Sequence, residues 1–150
     1  MKILEANNGA LTNFEVLDFL RAKGASKDPT RVLAKVAQSE YKVYDYLIDT
    51  AARDQTRESI NEFLESVKSH DLAKAEILNI INIRPTNIVE IFPIIECCDT
   101  RFSDEELTET VEIVKRTLPP PPEDANGAEA TKSNVEEGGG TNGNKLISYL

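Results

Sequence analysis

Residues 68–85 read KSHDLAKAEILNIINIRP, and they predict a short buried helix with a defined start and end. Asp71 is the candidate N-cap, because its carboxylate can accept a hydrogen bond from a free amide of the first turn. Pro85 disfavours helical backbone at Arg84 and so marks the other end. The apolar residues between these ends cover nearly half of the helix circumference; they are Ala75, Ile77, Leu78, Ile80 and Ile81. A helix with so wide an apolar face is expected to pack among other helices.

Five further helices are predicted from apolar spacing and from start and stop signals. They cover about residues 12–23, 29–52, 57–68, 87–95 and 103–118. The first and the last begin with capping boxes, in which Thr12 with Glu15, and Ser103 with Glu106, each satisfy two free amides.

Other residues predict where these helices end or begin. Gly24 is a natural stop for the first helix, because glycine readily adopts the left-handed conformation. Asn87 is expected to cap the fifth helix at Glu90. Pro93 should break that helix near Phe92, because an interior proline costs about 3 kcal/mol or more. No segment shows the alternation of a strand, so the predicted fold class is all-α.

The chain is predicted to have three parts: a partner-binding arm and helix in residues 1–28, a helical bundle in residues 29–118 and a disordered acidic tail in residues 119–150. Four prolines, 119–122, end the last helix. The rest of the tail has too little apolar surface to offset the entropy of an ordered chain. Its final residues, 145–150, form a small apolar island that either docks on the body or is an unstructured end.

Composition limits the classes of function. With 150 residues, 40% of them hydrophobic, the chain can build one modest core. A net charge of −9 argues against a protein that coats nucleic acid by itself. The two cysteines, Cys97 and Cys98, are adjacent and cannot join distant segments, so a reducing compartment is expected. With no signal peptide and no apolar run of membrane-spanning length, a soluble intracellular protein is expected.

No catalytic, cofactor or metal site is predicted. Ser69, His70 and Asp71 are the residue types of a nucleophilic triad, but three consecutive residues at a helix start cannot align hydroxyl, imidazole and carboxylate. His70 is the single histidine, and a structural or partner-facing role is expected for it. Two adjacent cysteines and one distant histidine do not make a four-ligand zinc site.

Two surfaces are candidates for binding. The N-terminal arm holds more apolar surface than one short helix needs, which is typical of an interface. Its candidate partner-binding residues are Leu4, Leu11, Phe14, Val16, Leu17 and Leu20. Residues 21–42 carry six basic against two acidic side chains, and here Lys27, Arg31 and Lys35 are the candidates for contact with nucleic acid. A solvated helix face is the alternative interpretation of this basic cluster.

Several short blocks of the sequence resemble a known family in their order and spacing. They are Ala6-Asn7, Leu11, Asn13, Glu15-Val16, Lys68-Ser69-His70, Leu72, Lys74-Ala75-Glu76, Asn82, Arg84-Pro85 and Val89-Glu90-Ile91. Over about residues 1–118 the chain looks like the small stalk subunit of RNA polymerase III, the calcitonin gene-related peptide receptor component protein family. Ala73 departs from this pattern, since a hydroxyl residue is expected there, and so does Pro93.

The resemblance implies a bundle of the helicase-and-RNase-D-C-terminal (HRDC-like) type, preceded by a tip-associated element. It implies a heterodimer with a larger stalk subunit that carries a β-barrel domain. In that family the heterodimer projects from the polymerase core beside the RNA exit path and helps initiation factors at promoters of small non-coding RNA genes. It contributes no catalytic residue, it makes at most weak contact with RNA or DNA, and it acts in the nucleus. The family's second name implies an alternative, an intracellular accessory protein of a peptide-hormone receptor.

Overall fold

The structure is a computed structural model that describes residues 9–27 and 35–122. Every regular element in those two ranges is helical. The α-helices are α1 Asn13–Ala22, α2 Gln38–Leu47, α3 Arg57–Ser66, α4 Lys74–Ile83, α5 Ile88–Ile91, α6 Cys98–Arg101 and α7 Asp104–Thr117, and a 3-10 helix, Ala51–Arg53, lies between α2 and α3. The predicted all-α class is confirmed. From residue 123 onward, the predicted tail lies outside the described residues.

Both predicted capping boxes are present. The Thr12 hydroxyl accepts from the Glu15 amide at 3.2 Å, and the Glu15 carboxylate accepts from the Thr12 amide at 2.8 Å. At the start of α7, the corresponding distances between Ser103 and Glu106 are 3.3 and 2.8 Å. The stop at Gly24 is also confirmed, since its φ is 105°. Local sequence therefore sets both ends of α1 and the start of α7.

The predicted N-cap of α4, Asp71, is wrong. The N-cap is Ala73, whose amide donates to the Glu76 carboxylate at 2.7 Å. A turn displaces Asp71 from the helix start, because the Leu72 amide donates to the His70 carbonyl at 2.8 Å. The predicted end of α4 is confirmed, with Arg84 as a left-handed C-cap at φ 52°.

The predicted helix over residues 29–52 is shorter in the structure. Residues 28–34 lie outside the described ranges, and α2 covers Gln38–Leu47. The Thr50 hydroxyl donates to the Leu47 carbonyl at 2.6 Å and accepts from the Ala52 amide at 3.3 Å. By bonding to the backbone on both sides, this hydroxyl replaces α-helical bonds and starts the 3-10 helix.

The break at Pro93 is confirmed, and it creates an element that the sequence did not predict. Asn87 caps α5 by accepting from the Glu90 amide at 3.0 Å, and α5 ends at Ile91. The chain then turns and forms α6. Cys97 precedes α6 with a left-handed φ of 52°, which redirects the backbone.

Two clusters of buried apolar side chains hold the helices together. The main core joins α1, α2, α3, α4 and α7, and its fully buried members include Leu17, Phe63, Ile80 and Val114. The second core joins α5, α6 and α7 through Ile91, Ile95, Cys98, Phe102, Leu107 and Val111. Helix α7 belongs to both cores. Because α1 lies in the main core, it packs as part of the bundle, and the three-part division of the chain stays a prediction.

A buried carboxylate joins α4 to α6. The Glu76 side chain is 8% exposed and accepts from the Arg101 guanidinium at 2.6 Å. It also accepts from the Ala73 amide and from the Glu96 amide, the latter at 3.1 Å. The same guanidinium donates to the Asp71 carbonyl at 2.6 Å. The Arg101 hydrogen bond, aided by the two amides, holds the pKa of the Glu76 carboxyl below its ordinary value although burial opposes this.

Replacing this carboxylate should destabilise the fold. We expect Glu76→Gln to lower the free energy of unfolding by about 1–3 kcal/mol, because hydrogen bonds to a charged acceptor become neutral ones. Urea denaturation of the full chain measures the change. Glu112→Gln is the matched control, since Glu112 forms an exposed pair with Lys115 and such pairs contribute little. Equal losses in the two variants would contradict a special role for Glu76.

The same carboxylate should make stability depend on pH. Its pKa is lowered in the folded chain, so as the pH falls the unfolded state takes up the proton first. The contribution of Glu76 is therefore complete above the ordinary glutamate pKa of about 4.3 and is lost as the pH falls through the lowered folded value. We expect the stability difference between the natural chain and Glu76→Gln to shrink between about pH 5 and pH 3. A difference that stays constant over this range, measured by urea denaturation, would exclude the linkage.

Candidate partner-binding surface

Helix α1 is fixed on the body at both ends. At its start, the Asn13 amide donates to the Asn82 side-chain oxygen of α4 at 2.8 Å. Along its length, Asp18 accepts from Arg57 of α3 at 3.2 Å. At its end, the Arg21 guanidinium donates to the carbonyl of residue 53 at 3.1 Å. The orientation of α1 relative to the rest of the bundle is therefore fixed before any partner binds.

Three of the predicted partner-binding residues face inward. Phe14, Leu17 and Leu20 are buried in the main core, and Val16 is half-buried against it. Their spacing of three residues forms one stripe of the helix, which is the pattern of a core face. The surplus of apolar surface expected from the sequence is therefore smaller in the structure. These residues position α1 in the main core, and their role in binding a partner stays a prediction.

The exposed apolar surface of this region lies elsewhere. Leu11, a predicted site residue, is 60% exposed, and Phe19 is 62% exposed. Phe19 was not among the residues predicted from the sequence, although its position outside the buried stripe of α1 was an available signal. On α2, which packs against α1, Val43 and Tyr46 are also exposed and lie one turn apart. Leu4 lies outside the described residues.

The basic cluster of residues 21–42 is partly neutralised. Lys23 pairs with Glu40 at 2.6 Å, and this contact lowers the pKa of the Glu40 carboxyl, helped by the Ala37 amide. The candidate nucleic-acid residues Lys27 and Lys35 are exposed. The third candidate, Arg31, lies outside the described residues. Exposed positive charge therefore remains on both sides of residues 28–34.

The groups considered for catalysis do not form a catalytic arrangement. The His70 ring has its Nδ1 3.4 Å from the Ser69 hydroxyl and its Nε2 4.0 Å from the carboxylate of Glu109, so the nearest acid is not Asp71. The ring is largely buried. Burial also raises the pKa of the Cys98 thiol, which disfavours the reactive thiolate. Neither a metal-binding cluster nor a helix long and apolar enough to cross a membrane occurs in residues 9–27 and 35–122.

Known proteins match this chain over most of its length. Residues 10–118 match the profile of the RNA polymerase Rpb4 family. DNA-directed RNA polymerase III subunit rpc9 of Dictyostelium discoideum is 34% identical, over 74% of this chain and 88% of that protein. The subunit of the same name from Schizosaccharomyces pombe is 28% identical, over 79% of this chain and all of that protein. Subunit RPC9 of Saccharomyces cerevisiae is also 28% identical, over 76% of this chain and 98% of that protein.

These matches confirm the resemblance seen in the sequence. The matched residues, 10–118, include every helix from α1 to α7 together with both cores. The chain belongs to the RNA polymerase Rpb4 family.

Proposed function

We propose that this protein is the small, non-catalytic stalk subunit of RNA polymerase III and acts in the nucleus. The observation that carries the proposal is the near-complete coverage of relatives that are named as RNA polymerase III subunits. The structure is in keeping with an architectural role, because its buried polar contacts join helices to one another. Glu76 with Arg101 and Asn13 with Asn82 are examples.

The proposed partner is the larger stalk subunit. The heterodimer of the two proteins would bind the polymerase core and assist its initiation factors. The proposed interface is the surface formed by Leu11 and Phe19, continued by the arm that contains Leu4. Phe19 on the anchored helix α1 and Leu11 just before its N-cap are large apolar side chains that are more than half exposed, and such side chains are typical of a protein interface. Phe14, Leu17 and Leu20 support this surface from below by fixing α1 in the main core.

The proposal gives the basic cluster a secondary role. Lys27, Arg31 and Lys35 would meet emerging RNA or promoter DNA within the assembled polymerase. The exposure of Lys27 and Lys35 supports this. The net charge of −9 limits such contact to a local one, since the rest of the chain repels phosphate.

Substitution of the exposed pair should separate binding from folding. We expect Leu11→Asp with Phe19→Asp to abolish co-purification with the co-expressed larger stalk subunit. The helical circular dichroism of the variant should be unchanged, because both side chains lie mostly in solvent. Val89→Asp is the control, since Val89 is an apolar residue on α5 that is 76% exposed. If the double variant elutes as an intact heterodimer, this surface is not the interface.

The basic cluster makes a prediction about salt. We expect Lys27→Glu, Arg31→Glu and Lys35→Glu together to weaken binding of single-stranded RNA by the heterodimer. The slope of log affinity against log salt should flatten by up to about 2, since each lost phosphate contact removes about 0.7. The control changes Lys68, Lys115 and Arg116 to Glu, which gives the same change in net charge at exposed positions. Equal effects in the two triple variants would favour the alternative interpretation, in which the basic cluster is a solvated helix face.

A further inference from the structure

An apolar groove of about 390 Å³ lies between α1, α3 and α4. Its floor consists of core residues, Phe14, Ile60 and Ile81, and its walls are Leu64, Ile77 and Leu78. Leu64 is 37% exposed, and the other two walls are half-buried. The volume lies within the roughly 300–1,000 Å³ of protein sites that bind small ligands or side chains. We call this site the α3–α4 groove.

The rim of the α3–α4 groove carries more positive than negative charge. Arg57 and Lys74, the first residues of α3 and α4, lie on the rim, and Glu15 is its one carboxylate. Arg57 is also bonded to Asp18 at 3.2 Å, but its side chain is largely exposed. An occupant with apolar side chains and nearby acidic residues would therefore complement both the walls and the rim.

The described chain ends close to this groove. Pro119 and Pro120 line a surface depression together with Thr56 and Ser59, which belong to the start of α3. The groove follows the same helix from Arg57 to Leu64, a distance of about 10 Å at 1.5 Å per residue. The described chain thus reaches the start of α3, the helix that also lines the groove.

The sequence after Pro122 contains a segment of the required chemistry. Residues 123–150 hold five acidic and two basic side chains. The large apolar residues among them are Val135, Leu146, Ile147, Tyr149 and Leu150, so four of the five lie in residues 146–150. Pro122 and Leu146 are 24 positions apart in the sequence, and a Gly-rich coil of that length has a root-mean-square span of roughly 27 Å, more than the length of α3 along the groove. Such tethering gives a local concentration in the millimolar range, so weak binding is enough.

We propose that residues 146–150 of this chain bind in the α3–α4 groove as an intramolecular ligand, with the acidic stretch before them near Arg57 and Lys74. The bound segment covers the exposed edge of Leu64 and the half-buried walls, an apolar surface that would otherwise promote association between molecules. The groove, the position where the described chain ends and the composition of the segment support this placement, which is independent of the proposed role in the polymerase.

Photo-crosslinking tests the position of the segment. The full chain with Tyr149→p-benzoylphenylalanine is irradiated as a monomer, and the crosslinked peptides are identified by mass spectrometry. We expect crosslinks concentrated in residues 60–64 of α3 and 74–81 of α4. The control places the same photo-reactive residue at Val135, which should give several-fold fewer crosslinks to these helices. Crosslinks from residue 149 that are spread over the surface, or equal to those from residue 135, would overturn the proposal.

A second measurement identifies the groove as the receptor. Leu64→Glu should remove the crosslinks from residue 149, because it places a carboxylate in the apolar wall. Tyr46→Glu, an exposed residue on α2, should leave them unchanged and serves as the matched control.

Methyl NMR of the full chain gives a test without a photo-reactive residue. The signals of Leu64, Ile77 and Leu78 should shift when Leu146→Ser and Leu150→Ser are introduced, and should not shift with Val135→Ser. Unshifted signals in the double variant would exclude residues 146–150 as the occupant. Signals that move instead with Ile3→Ser and Leu4→Ser would assign the groove to the N-terminal arm.

Discussion

The hydrogen bonds accepted by the Glu76 carboxylate are the interaction on which the packing of α4 against α6 depends. Helix α4 begins at Ala73, which has no capping side chain, and the Glu76 carboxylate accepts from the Ala73 amide. The same carboxylate accepts from the Arg101 guanidinium and from the Glu96 amide. Both groups follow Pro93, where the helix is broken. A single buried charge thus fixes the start of α4 and the path of the chain into α7. Because the charge is paired and fully bonded, its burial is tolerated.

Helix α4 is also held at its other end, which makes it the element that positions the rest. Asn82 accepts from the first residue of α1 at 2.8 Å. The Ile81 carbonyl accepts from the buried Gln55 side chain at 2.8 Å. Arg84, in a left-handed conformation, donates to the Leu118 carbonyl at 3.1 Å, and burial lowers the pKa of its guanidinium. These polar contacts tie α1, the start of α3 and the end of α7 to one helix, which gives the surfaces on α1 a defined geometry.

Membership of the Rpb4 family suits a protein of this construction. Its buried Glu76 is engaged in joining helices, and its exposed apolar residues include Phe19 on α1, Tyr46 on α2, Ile83 on α4 and Val89 on α5. In α1 the difference is one of helical face: Leu17 and Leu20 are buried and stabilise the fold, whereas Phe19 is 62% exposed.

Local sequence determined the helical class, the capping boxes at Thr12 and Ser103, the stops at Gly24 and Arg84 and the break before Pro93. These features depend on side chains within four residues of the backbone they satisfy or block, so they can be predicted without knowledge of the fold. The family could also be recognised from the order and spacing of short blocks. Only the tertiary structure decided that Glu76, not Asp71, organises the start of α4, because its partner Arg101 lies 25 residues away. Likewise, the three-residue spacing of Phe14, Leu17 and Leu20 indicates one apolar face, but only the tertiary structure decided that this face is buried within the chain, because the helices that cover it are distant in sequence.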